Sequence, residues 1–226
     1  MKTRSSVLLA AAASVASTAS ASPTLGGAAV SGQSTHYGGN LNGGMCSFST
    51  YALPSGTFGT AFSGSAWQDA GVCGACLEVT GPQGNTIKAM IVDQCPECSE
   101  GQLDLFIDAF GQLADPGTGI VSTSYNFVAC DIASPLVLKN KSGTSPYWFS
   151  MQAFNANEPV ESLEVSTDGG ATWKSTARQP YNFFEEPSGF GVDSVDVRVT
   201  SSMGKTIVVK GVSVEADLET SAGSNF

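Results

Sequence analysis

The sequence predicts a mainly β protein in two parts, a compact cysteine-bearing barrel or sandwich followed by a smaller, cysteine-free β-sandwich. Three observations carry this reading. Between Thr57 and Cys130, short apolar segments alternate with Gly, Pro and Asn turns, the pattern of short strands in a compact β structure. All six cysteines (Cys46, Cys73, Cys76, Cys95, Cys98 and Cys130) lie in the first part, and none follows residue 130. Charge changes at the same place: residues 22–134 hold nine acids and one cation, Lys88, whereas residues 135–226 hold eleven acids and seven cations.

Taken in order, the chain opens with Lys2 and Arg4 ahead of an alanine-rich apolar run from Val7 to Ala13, followed by Ala19-Ser20-Ala21. That is the pattern of a secretory signal peptide over residues 1–21, so the mature protein is expected to be secreted and extracellular. The run is too short to span a bilayer and no later segment approaches about twenty apolar residues, so no membrane association is expected. Loss of the leader removes two cations and takes the formal charge from -10 to -12. Such an acidic chain lacks the basic face that phosphates require, which argues against a nucleic-acid partner and suits a neutral polysaccharide. The roughly 205 remaining residues allow two small domains in one monomeric chain.

Residues 22–33 are small and glycine-rich and read as a flexible lead-in. A first domain is expected over 34–134. It opens with Thr35-His36-Tyr37-Gly38-Gly39, a short strand entering a turn, and a glycine-rich loop to Cys46. Strands are predicted at Thr60–Phe62, Cys76–Thr80, Thr86–Val92 and Tyr125–Ala129, the second and third forming a hairpin through Gly81–Asn85. One helix is predicted from about Leu105 to Leu113, with Phe106, Ala109, Phe110 and Leu113 on one face. Cys73-Gly74-Ala75-Cys76 and Cys95-Pro96-Glu97-Cys98 have the spacing of a four-thiolate zinc site, but an exported chain with an even cysteine count favours three disulfides, with no metal. His36, the only histidine, reads as a structural residue.

Residues 135–145 read as a linker, in which Asn140-Lys141-Ser142 is an N-glycosylation sequon. A β-sandwich is expected over 146–218, with strands at Trp148–Ala153, Leu163–Ser166, Asp196–Thr200 and Thr206–Val209 and a hairpin turn at Asp168-Gly169-Gly170. Trp173, Phe183, Phe184 and Phe190 are assigned to its core, and residues 219–226 to a tail.

The chemistry centres on Ile91–Phe110, where Asp93 ends an apolar run and Asp104 sits between Leu103 and Leu105. An acid in that setting suits a general acid or a strong hydrogen-bond partner. The competing reading is that each aspartate caps a turn or a helix start. Neither a Gly-x-Ser-x-Gly elbow nor a comparable context supports a nucleophilic triad.

Thr35-His36-Tyr37-Gly38, Cys73–Val79, Ile91-Val92-Asp93 and Leu103-Asp104-Leu105 with Ala109-Phe110 resemble, in this order, the barrel domain of expansins. Tyr147-Trp148 and Pro180-Tyr181-Asn182-Phe183 resemble the carbohydrate-binding domain of the same family. The resemblance implies a six-stranded double-psi β-barrel with a short helix, then an immunoglobulin-like β-sandwich. It also implies disulfides Cys46–Cys73, Cys76–Cys130 and Cys95–Cys98, and a polar site of Thr35, Asp93 and Asp104, with Asp104 the functional acid and Tyr37 beside them as a substrate contact. Tyr147, Trp148 and Tyr181 match the family's row of surface aromatics, whose faces stack on sugar rings; the alternative is that one of the adjacent Tyr147 and Trp148 turns into the core. Cys95 stands where bacterial expansins carry a tyrosine.

Related double-psi-barrel endoglucanases invert with two acids about 6.5–9.5 Å apart, one of which activates water. The position of that base is Gly39 here. The resemblance therefore implies a cofactor-free protein that binds cellulose or a related cell-wall glucan and loosens it without hydrolysis. The alternatives are a single-acid glycosidase or lytic transglycosylase on glucan, chitin or peptidoglycan, and a barwin-type interaction protein with a vestigial groove.

Overall fold

The structure is a computed structural model that describes residues 25–226. The signal-peptide reading of residues 1–21 lies outside them. Six strands close a barrel: β1 (Val30–Tyr37), β2 (Thr57–Ser63), β3 (Cys76–Thr80), β4 (Thr86–Cys95), β5 (Leu103–Phe106) and β6 (Val121–Val128). Their order around it is β1-β5-β2-β4-β3-β6, a double-psi barrel with parallel pairs β1/β5 and β2/β4. Helix α1 (Ile107–Leu113) follows β5 directly and buries Ala109, Phe110 and Leu113.

Two packed sheets follow. One holds β9 (Val160–Ser166), β10 (Lys174–Ser175), β13 (Ser194–Ser201) and β14 (Thr206–Ser213). The other holds β7 (Val137–Asn140), β8 (Phe149–Phe154), β11 (Ala177–Arg178), β12 (Phe184–Glu186) and β15 (Glu219–Ser221). Leu136, Leu138, Phe149, Met151, Leu163, Phe184 and the inward valines of β13 and β14 fill the space between them. The barrel has its own core of Leu77, Met90, Ile91, Leu103, Leu105 and Phe110. Burial alternates along β13, so one apolar face is covered and the other is left for polar groups, whereas every residue of β8 is buried.

Several boundaries differ from those read off the sequence. β1 begins at Val30, inside the expected lead-in, because residues 30–34 pair with β6. The expected linker contains β7, paired with β8 on one side and β15 on the other. The expected tail supplies β15, and Ala222 and Phe226 pack against the sandwich core. Asn140 is 1% exposed, and its amide donates to Ser213 O at 2.8 Å and Glu215 O at 2.7 Å. A glycan on this nitrogen would have to break both bonds and leave the enclosed site, so in the fold the side chain serves structure. Trp173 is half-buried rather than core: its ring stacks against the Arg198 guanidinium at 4.5 Å on the outer face of the sandwich. Phe183 and Phe184 are buried, and Phe190 packs edge-on against Phe149 at 5.0 Å.

Candidate functional site

Register places the polar residues. Thr35 on β1 is opposite Asp104 on β5; Asp104 is opposite Ala61 on β2; Ala61 is opposite Asp93 on β4. In-register residues on neighbouring strands share a face, so the four form one row across the outside of the barrel wall. On β5 the alternation is plain, with Leu103 and Leu105 fully buried and Asp104 and Phe106 turned outward. On β4 the row depends on a bulge. Thr60 pairs with Ile91 and Ala61 with Asp93, so Val92 is an extra residue, and the shift turns Asp93 to the face of Asp104. Two strand spacings put the Cα atoms of the two aspartates about 10 Å apart, with only the Ala61 methyl between.

The two acids are held differently. Asp104 Oδ1 accepts from Thr35 Oγ1 at 2.6 Å, and its other oxygen has no partner among the described residues. Asp93 has donors on both oxygens: Met45 N at 2.7 Å and Gln94 N at 2.8 Å on Oδ1, and Tyr37 OH at 3.1 Å on Oδ2. Burial first, and then the neighbouring Asp93 carboxylate, push the Tyr37 phenol well above its ordinary value, so it stays a protonated donor. Asp104 caps no helix, since α1 begins after Phe106 and has no side-chain cap. Asp93, near the end of β4, bonds the amides of Met45 and Gln94 and holds the 38–46 loop to the barrel.

Tyr37 and Phe106 are also in register and meet edge to face at 5.5 Å. The Phe106 ring lies between Gly39 and Gly59, both of which are glycine for lack of space. A Cβ at Gly39 would fall 2.6 Å from Phe106 Cδ1 and overlap Tyr37 Cζ; one at Gly59 would fall 2.6 Å from Phe106 Cζ. The cysteines form three disulfides, Cys46–Cys73, Cys76–Cys130 and Cys95–Cys98, so the two Cys-x-x-C motifs do not pool their sulfurs. Cys95 and Cys98 pack with Ala61 against Tyr37, beside Asp93. His36 lies away from the acids, its ring on Phe110 at 4.7 Å and Nε2 3.0 Å from Pro116 O.

A second cluster lies on the outer face of the sheet containing β8. Tyr147 is 80% exposed, Trp148 is half-buried on the surface, and the next residue, Phe149, enters the core. Neither of the adjacent aromatics is therefore a core residue. The Lys141 ammonium stands 5.6 Å from the Trp148 ring and 5.4 Å from the Tyr181 ring, which brings those two rings together around one cation. Tyr181 donates to Glu185 Oε1 at 2.8 Å, and its phenol is pushed up to about 12 by desolvation and by that carboxylate.

The model of the Barwin family matches residues 49–130. Expansin-YoaJ of Bacillus subtilis is 30% identical over 180 residues, covering 78% of this chain and 75% of that protein. The chain belongs to the expansin family. Expansin-like protein 2 of Dictyostelium discoideum is 33% identical over 163 residues, and there the match covers 64% of this expansin but 39% of the longer relative. The crystal structure of the apo expansin of Clavibacter michiganensis matches with a TM-score of 0.78 at 30% identity, covering 88% of this chain and 98% of that one. A variant of that Clavibacter expansin, solved in complex with cellohexaose, matches with a TM-score of 0.79 at the same identity and coverage.

Sequence reasoning passed over several residues that build these sites. Met45 contributes a backbone amide, which leaves no trace in residue type. Ala61 and Phe106 matter through register, and Lys141 read as part of a sequon.

Proposed function

We propose that this expansin is a secreted protein that binds cellulose or a related cell-wall glucan and loosens it without cleaving it. Asp104 grips the sugar chain through the oxygen that Thr35 leaves open, and Thr35 fixes the carboxylate's direction. Tyr147, Trp148 and Tyr181 supply stacking faces for the chain on the sandwich. The leader pattern of residues 1–21 and the three disulfides support export to an oxidising compartment. The cellohexaose complex of the Clavibacter relative supports a β-glucan as the ligand class.

The observation that carries the non-hydrolytic reading is the filling of the Gly39 position by Tyr37 and Phe106. Inverting hydrolysis needs an acid and a second carboxylate free to take a proton from water. No side chain fits at residue 39. Asp93, the other carboxylate of the row, already accepts three hydrogen bonds that hold the 38–46 loop and Tyr37 in place. The arrangement grips a ligand and lacks a positioned base.

The test is a pull-down of the intact protein with amorphous cellulose, chitin and peptidoglycan, beside a Tyr147→Ala, Trp148→Ala, Tyr181→Ala triple variant. Binding to cellulose that the triple variant loses is the expected result. Undiminished binding by the triple variant would refute the aromatic platform.

A further inference from the structure

Tyr181 belongs to the sandwich by sequence, yet the turn that carries it is seated on the barrel. The turn runs from β11 to β12, closed by Gln179 N to Phe183 O at 2.7 Å and by Asn182 N to Gln179 O at 2.9 Å. The residues on either side of Tyr181 both bond to the barrel. Trp67 Nε1 donates to Pro180 O at 3.2 Å, and Asn182 Nδ2 donates to Cys46 O at 3.3 Å. Arg178, at the start of the turn, donates to Ala70 O at 3.2 Å and to Asn182 Oδ1 at 3.1 Å. Gln152 on β8 completes the joint, donating to Cys46 O at 2.8 Å and to Asn182 O at 3.2 Å.

These are buried groups: Gln152 is 1%, Asn182 3% and Trp67 5% exposed. Backbone of uncommon geometry surrounds them. Asn182 has φ 63°, and Gln68, Asp69 and Ala70 are three consecutive non-glycine residues at positive φ. Such conformations persist where the surroundings over-determine them, and they cluster at ligand-binding and switching segments.

The same short segment reaches the acid site. Met45 N donates to Asp93, and the carbonyl of the next residue, Cys46, receives Gln152 and Asn182. The Cys46–Cys73 disulfide and the Cys46 N to Val92 O bond at 3.3 Å fix that segment to the barrel. Asp93 and Tyr181 are thus joined through two adjacent residues of one barrel loop.

We propose that Trp67, Gln152, Arg178 and Asn182 are positioning residues. They hold Tyr181 in its glucan-binding place from the barrel side. The proposal rests on the glucan-binding reading above, and none of the four residues touches the sugar. A sandwich cut free of the barrel would keep all three aromatics and lose the seat of one.

The test uses the full chain with Trp67→Phe, which keeps a ring and removes the N–H, and Asn182→Gly, which keeps the positive φ and removes the amide. Each is measured alone and on a Tyr181→Ala background, for cellulose affinity and for tyrosine ionisation. Three bonds are lost between them, one at Trp67 and two at Asn182, so together the two substitutions are expected to weaken binding on the order of tenfold. They are expected to add nothing once Tyr181 is alanine, and to move the Tyr181 titration, identified by its absence in Tyr181→Phe, from about 12 towards the ordinary value near 10. Unchanged affinity, a loss of the same size in the Tyr181→Ala background, or an unmoved Tyr181 titration would overturn the proposal. A wild-type protein that binds no polysaccharide would instead sink the glucan-binding reading, while the titration would still report on the joint.

Discussion

Replacing Gly39 by aspartate puts a carboxylate at the position where the related endoglucanases carry their base, and the structure says that the replacement fails for steric reasons. The new Cβ would lie 2.6 Å from Phe106 Cδ1 and overlap the Tyr37 ring. Phe106 has little room to retreat, because its other edge lies against Gly59, where an added Cβ would also overlap the ring. Tyr37 must therefore swing out, which breaks its bond to Asp93. Overpacking costs about 1–3 kcal/mol, and a lost hydrogen bond to a charged group about 1.5–3 kcal/mol. Even about 3 kcal/mol in a chain of this size lowers the melting temperature by roughly 6–12 °C. Calorimetry on Gly39→Asp beside wild type reads the stability, and a reducing-sugar assay on amorphous cellulose reads the chemistry. The expected outcome is a marked loss of stability with no soluble sugar. An unshifted melting temperature together with sustained sugar release would refute the steric argument and the non-hydrolytic reading with it.

Thr35→Val removes the bond that aims Asp104 and should reduce wall loosening in the same direction as Asp104→Asn, with far-ultraviolet circular dichroism unchanged; wild-type loosening by Thr35→Val would separate the hydroxyl from the site. Asn140→Ala removes two hydrogen bonds to the Ser213 and Glu215 carbonyls and should cost about 2 kcal/mol in urea unfolding, and mass spectrometry of the wild-type protein should find residue 140 unmodified; a glycan there would contradict the burial of the side chain. Burial raises Tyr37, Tyr51, Tyr125 and Tyr181 above their ordinary values, with neighbouring carboxylates adding to it at all but Tyr51, and the last three reach about 12. The folded state then holds protons that the unfolded state has released, so stability is full below about pH 10 and falls as pH rises towards 12. Arg178, lowered to about 10 by burial, acts in the opposite direction over the same range but is one group against four. Tyrosinate absorbance that followed a single ordinary titration with no alkaline unfolding would contradict this.

How much of the protein could be read from the residues depended on whether the signal was local. The alternation Leu103-Asp104-Leu105 carries its own geometry, two apolar residues inward and one acid outward, so Asp104 was legible. The hairpin of β3 and β4 was legible for the same reason, since its turn lies between the paired strands. Asp93 was found by type, but its facing depends on the extra residue at Val92, which shows only against β2. β7 and β15 carry the sequence pattern of a linker and a tail, each short and flanked by Pro or Gly; they are strands only because they pair with each other, and β7 also with β8. The joint at Cys46 was invisible, because it pairs a backbone carbonyl with amides 106 and 136 residues away.

The central claim is that Asp104 grips a glucan chain and does not cut it. The most direct measurement follows mechanical weakening of a cellulose sheet under load together with soluble sugar in the surrounding solution, for wild type and Asp104→Asn. Wild type is expected to weaken the sheet without releasing sugar, and Asp104→Asn to do neither. Sugar that accumulates with time in the wild type and disappears in Asp104→Asn would contradict it.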